Sequence, residues 1–133
     1  MANLRVLLAE DARDFRELLR DELRDRGFAV TAVEDGLQAV DAFRRQSFDI
    51  VLTDLAMPGL NGLQVAKACK QHRRSVKVIV LTGWDLLLED EECIEHGVDM
   101  VIAKPVQIHV LIAALRQVVQ DPAPFQRSTG VSR

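Results

Sequence analysis

What this chain of 133 residues has little of narrows its function first. It carries two cysteines, Cys69 and Cys93, far apart in the sequence. That spacing excludes a Cys-x-x-Cys metal or redox motif. It predicts a reducing, cytoplasmic setting with both thiols packed as small core residues. No apolar run reaches the ~20 residues that a membrane-spanning helix needs. The opening MANLRVLLAED does not read as a secretory leader, because its apolar stretch is short and runs directly into acids. Positive charge is not in excess: the formal net charge is −3. There is therefore no basic footprint for nucleic acid. The first apolar run is followed by EDARD rather than a glycine-rich phosphate loop, which argues against a nucleotide or flavin binder. No internal repeat of solenoid period is visible.

What is present is an alternation of short apolar runs with longer amphipathic ones. LRVLLA (4–9), AVTAV (29–33), DIVLT (49–53), VKVIVLT (76–82) and DMVIA (99–103) read as strands. Between and after them, segments 11–27, 36–46, 62–74, 84–97 and 107–120 carry helical spacing. Phe15, Leu18, Leu19 and Leu23 fall on one face of the first, and Leu37, Val40 and Phe43 on one face of the second. Five strands alternating with five helices predict one α/β domain, a doubly wound parallel sheet with helices on both faces. The central runs are continuously apolar, as strands covered on both sides require. The domain is expected over residues 1–120. DPAPFQRSTGVSR (121–133) reads as a C-terminal tail or truncated linker.

Parallel strands point one way, so their C-terminal ends form a single rim, where ligands bind in sheets of this kind. Glu10 and Asp11 end the first strand, Asp54 the third, Thr82 the fourth, and Lys104 with Pro105 the fifth. Three carboxylates in a small space raise one another's pKa. A hard divalent cation removes that conflict, and Mg²⁺ takes a few carboxylates while keeping waters. A lysine and a hydroxyl beside them complete a site for a phosphoryl group. Asp54 is then the nucleophile toward phosphorus. Asp11 and Asp54 ligate the metal with Glu10 assisting, Thr82 bonds one phosphoryl oxygen and Lys104 pairs with another.

Glu10-Asp11, LTDLAMPGLNG around Asp54, VLTG at Thr82 and Lys104-Pro105 together resemble the receiver domain of bacterial two-component response regulators, of the chemotaxis-regulator-like kind. The resemblance spans residues 3 to about 120. It implies a flavodoxin-like fold with five strands in the order 2-1-3-4-5. It implies that Asp54 takes a phosphoryl group from a sensor histidine kinase or histidine phosphotransfer protein, with Mg²⁺. It adds the carbonyl of Ala56 as a metal ligand, and often a cis bond before the proline matching Pro105. It describes a signalling switch with self-catalysed phosphotransfer and autodephosphorylation, not a metabolic enzyme.

The sequence also departs from the family pattern. Val101 stands three residues before the lysine, where the family usually has Tyr or Phe. It reads as an ordinary edge-strand residue, and it leaves open a receiver-like module that works without phosphate. Trp84 and Ala56 occupy the positions that border the phosphoryl group in the family, and a bulky Trp84 beside an apolar Ala56 is expected to slow its loss. Ala56 also removes the second acid that an aspartate-nucleophile phosphatase needs. Ile108, Val110 and Ile112 spread apolar surface around the fifth helix, which suggests a homodimer through the fourth helix, fifth strand and fifth helix. Phe15 and Arg16 flank the acidic pair where the family docks its phosphoryl donor. His72, His96 and His109 lie away from the rim, and the acidic run 89–92 reads as a solvated face.

Overall fold

The computed structural model describes residues 3–83, 88–120 and 124–131. In chain order the elements are β1 (Arg5–Ala9), α1 (Arg13–Asp25), β2 (Ala29–Val33), α2 (Gly36–Arg45), β3 (Ile50–Asp54) and α3 (Gly62–His72). They continue with β4 (Lys77–Thr82), α4 (Asp90–Glu95), β5 (Met100–Ala103), α5 (Ile108–Gln120) and β6 (Gln126–Thr129). The strands form one parallel sheet in the order β2-β1-β3-β4-β5-β6.

Period-two alternation divides the strand residues between two cores. Val6, Leu8, Ile50, Leu52, Ile79, Leu81, Met100 and Ile102 face one side and meet Leu19, Leu23, Leu111 and Leu115 from α1 and α5. Leu7, Val51, Val78, Val80 and Val101 face the other and meet Phe43, Leu63, Ala66, Cys69 and Cys93 from α2, α3 and α4. Each fully buried Leu, Ile or Val contributes about 1.5–3 kcal/mol relative to its exposed state. Local signals set helix starts. Asp35 accepts from the Gln38 N–H at 2.8 Å ahead of α2. Asn61 and Gln64 form a reciprocal capping box at 2.9 and 2.8 Å ahead of α3.

The sheet differs from the expected five strands by one. Residues within the stretch read as a tail add β6 in parallel to β5, so β5 is interior and Val101 is a buried residue rather than an edge one. The sequence signal was weak because Gln-Arg-Ser-Thr has no apolar alternation. Pairing with a distant edge holds it. The Gln126 N–H donates to the Asp99 carbonyl at 3.1 Å, and the Gly130 N–H to that of Ala103 at 3.0 Å.

Leu18 and Leu37 do not join the core. They are 53% and 64% exposed, because Leu19 and Leu23, one helical turn apart, already turn the buried face of α1 inward, and Val40 and Phe43 do the same for α2. Ile112 is buried in the core, and Ile108 is half-buried against it. The apolar excess on α5 is therefore largely intramolecular packing. The described part of the fourth helix begins at Asp90, and residues 84–87 of the expected segment lie outside the described residues. Among the described residues no helix is long and apolar enough to cross a membrane.

Candidate functional site at the C-terminal rim

The ladder carries the side chains to the rim. The Glu10 N–H continues it beyond β1 to the Val33 carbonyl at 3.1 Å, and the Leu55 N–H beyond β3 to that of Leu81 at 2.9 Å. Asp54 is thereby held between extended residues. The first turn of α3 presses on it from behind, and Gly62 makes that approach possible. A Cβ there would lie 2.5 Å from the Asp54 carbonyl oxygen and 3.1 Å from the Leu55 Cα.

Glu10, Asp11 and Asp54 offer carboxylate oxygens that all lie within 4.8 Å of one another. It is the one such cluster of metal-ligating side chains among the described residues. Lys104 arrives from the end of β5. Its Nζ lies 3.0 Å from Asp54 Oδ1 and 3.3 Å from Glu10 Oε1. Glu10 is 1% exposed, and its other oxygen accepts from the Ala12 N–H at 3.0 Å.

Electrostatics follow from this crowding. Burial pushes the Glu10 carboxyl above its ordinary range, the Ala12 N–H works against the shift, and the charge of Asp54 adds to it. Burial alone would lower the Lys104 ammonium, but the hydrogen bond and charge of Asp54, joined by Glu10, outweigh burial and raise it. An all-oxygen, net-negative cluster of this size fits a hard divalent cation.

Two further residues shape the rim. The Arg16 guanidinium donates to the Glu10 carbonyl at 2.8 Å and to that of Asp11 at 3.5 Å, tying α1 to the turn that bears both acids. Phe15 lies beneath Lys104, with Nζ 5.1 Å from the ring centroid. Sequence reasoning named this pair for docking and missed these contacts. The available signal was the position of both residues on the first helical turns after the acids.

Thr82 is buried at the end of β4, and its carbonyl accepts from the Lys104 N–H at 2.7 Å. Its hydroxyl is turned to the Gly83 carbonyl at 3.2 Å. Ala56 is exposed in the loop after β3. Trp84 lies outside the described residues. The Lys104–Pro105 bond is cis. His72 packs edge-on to Phe43, and His96 Nδ1 lies 2.8 Å from the Glu92 carbonyl oxygen. Both cysteines are buried, and burial pushes the Cys69 thiol up to about 12.

Comparison with known proteins agrees with this fold. The family model for the response regulator receiver domain matches residues 6–116. Sensory transduction protein RegX3 of Mycolicibacterium smegmatis is 38% identical over 118 residues, covering 89% of this chain and 51% of that protein. The chain thus spans about half the length of that curated relative. The solved chemotaxis protein CheY4 of Vibrio cholerae shares the fold with a TM-score of 0.82 at 24% identity, over 88% of this chain and 99% of that one. Response regulator TrrA of Thermotoga maritima, solved in complex with Mg²⁺ and BeF, gives 0.79 at 28% identity, over 86% of this chain and 98% of that one. The chain belongs to the response regulator receiver family, the signalling switch domain of two-component systems.

Proposed function

We propose that Asp54 is the phosphoryl acceptor of this receiver, supplied by a histidine kinase or a histidine phosphotransfer protein. The observation that carries the reading is the convergence of Glu10, Asp11 and Asp54 within 4.8 Å, with Lys104 Nζ 3.0 Å from Asp54. An Asp54 carboxylate oxygen bonds to the phosphorus of a phosphohistidine as the P–N bond breaks. The bonding pair leaves with the imidazole nitrogen. The ring, protonated at its other nitrogen, departs neutral. In the hydrolysis that resets the site a water oxygen bonds to phosphorus as the P–O bond to Asp54 breaks; the bonding pair stays with the Asp54 carboxylate, and both water protons leave with inorganic phosphate.

Asp11 and Asp54, with Glu10 and the Ala56 carbonyl, would hold Mg²⁺. Bound there, the cation neutralises negative charge on the transferring oxygens. Lys104 balances a further phosphoryl oxygen, and the Thr82 hydroxyl is available to donate to another. Arg16 keeps the acidic turn in place while the charge changes. The donor protein approaches over the rim beside α1, where exposed Leu18 offers an apolar contact.

The test is intact mass after incubation with acetyl phosphate and Mg²⁺. A gain of one phosphoryl group, lost in Asp54→Ala and in the presence of chelator, is the expected result. An equal gain in Asp54→Ala overturns the assignment.

A further inference from the structure

The sixth strand contributes no side chain to the acidic cluster or to the Lys104 ion pairs. β6 closes the edge of β5, with Met100 opposite Gln126 through to Ala103 opposite Thr129. Its own side chains are mostly exposed and polar. Its attachments are the backbone ladder, the partly buried Phe125 and the buried Gly130, whose carbonyl accepts from the Gln107 N–H at 2.6 Å. Segments with few buried apolar contacts open at low free energy. At Gly130 the fit is close. A Cβ there would collide with the Pro105 carbonyl oxygen and lie 2.7 Å from both the Ala103 carbonyl oxygen and the Val106 Cα.

A side-chain latch adds to this. Arg127 donates to the Asp90 carboxylate and to the Leu88 carbonyl. Asp90 is the first residue of α4, and Leu88 lies two residues before it. The Asp90 pair is open to solvent on both sides, so it holds weakly. Arg127, Ser128 and Thr129 also line a cavity of about 280 Å³ together with Thr82, Val101 and Ala103. Thr82 and β6 therefore share one space, beside the short side chain of Val101.

We propose that β6 is a releasable cover over the β5 edge, latched by Arg127 and shed when Asp54 carries a phosphoryl group. The inference rests on Asp54 being the acceptor. The Thr82 hydroxyl donates to the neutral Gly83 carbonyl at 3.2 Å, and a charged phosphoryl oxygen is a stronger acceptor. Turning toward Asp54, Thr82 withdraws a wall of the cavity it shares with Arg127, Ser128 and Thr129. Release leaves the backbone N–H and C=O groups along Met100–Ala103 of β5 unpaired at the sheet edge.

The test is hydrogen exchange of the full chain with and without Mg²⁺ and beryllofluoride, with ¹⁹F NMR reporting binding directly. Exchange in 124–131 should rise about ten-fold on binding, within the usual 5- to 150-fold range of coupled equilibria. Coupling is reciprocal, so Gly130→Ala, which cannot seat β6, should exchange fast without ligand and bind beryllofluoride more tightly by a similar factor. Protected amides in 5–9 and 50–54 establish that the variant is folded, and Arg127→Ala serves if it is not. Bound beryllofluoride with unchanged exchange in 124–131 overturns the inference and leaves the acceptor assignment standing. Absence of a bound ¹⁹F signal in every form overturns the acceptor assignment and the inference with it.

Discussion

Lys104 Nζ lies 3.0 Å from Asp54 Oδ1, joining the end of β5 to the end of β3 across the intervening β4. The same ammonium reaches Glu10 at the end of β1. One cation at the end of β5 thus ties together the ends of β1 and β3, whose carboxylates repel each other.

Lys104→Met should slow phosphorylation by acetyl phosphate by about 10²–10³-fold, the usual cost of removing one preorganised charge-stabilising donor. Mg²⁺ binding, measured by calorimetry, should persist, since Lys104 is not a ligand. The raised pKa of Lys104 also sets a pH limit. Its stabilisation is fully present below the ordinary 10.5 and is lost as pH rises through the higher folded value. Urea midpoints across pH 9–11.5 should fall at the alkaline end in wild type, and less so in the variant.

Glu10→Gln should make the metal-free protein more stable and its Mg²⁺ binding weaker. The Glu10 carboxyl is raised above 4.5 in the fold, so its contribution is favourable below 4.5 and is lost as pH rises through the folded value. At neutral pH the buried charge is a burden that glutamine lacks. A gain of about 1 kcal/mol is expected, the trade of stability for function common at charged sites. The gain should vanish when the melts are repeated below pH 4.5.

Arg16→Ala should weaken Mg²⁺ affinity by roughly 10–100-fold, as loss of an outer partner of metal ligands usually does. Arg16 contacts the Glu10 and Asp11 carbonyls and not the carboxylates. Arg16→Lys should recover part of the affinity through the stronger 2.8 Å contact. An unchanged calorimetric Kd in Arg16→Ala would show that the turn holds its own shape.

Gly62→Ala should destabilise the domain by about 1–3 kcal/mol, the cost of overpacking a close contact. The new methyl meets the backbone of Asp54 and Leu55, neither of which is the free end of a flexible chain. The urea midpoint should fall with an unchanged slope. Acetyl phosphate labelling should fall in the folded fraction as well, because the displaced atoms carry the acceptor.

Much of the fold was legible because its signals are local. The runs at 4–9, 49–53 and 76–82 are short and largely apolar, as strands covered on both sides are. Asp35 and Asn61 announce the starts of α2 and α3 through their own side chains. The rim was legible for a topological reason: parallel strands bring their last residues to one edge, so Glu10, Asp11, Asp54 and Lys104 had to assemble. Leu18 and Leu37 were misplaced because helical spacing identifies a stripe without fixing its rotation toward the sheet.

Local pattern by itself determined the alternation of elements and the identity of the groups at the strand ends, because backbone propensity and period are written over a few consecutive residues. Only the tertiary structure decided that Arg16 reaches two carbonyls, that Lys104 bridges Glu10 and Asp54, and that residues 126–129 complete the sheet. Each of those contacts joins residues through space with no periodic trace along the chain. For β6 the partners are the Asp99 and Ala103 carbonyls, backbone groups that every residue carries and no side chain advertises.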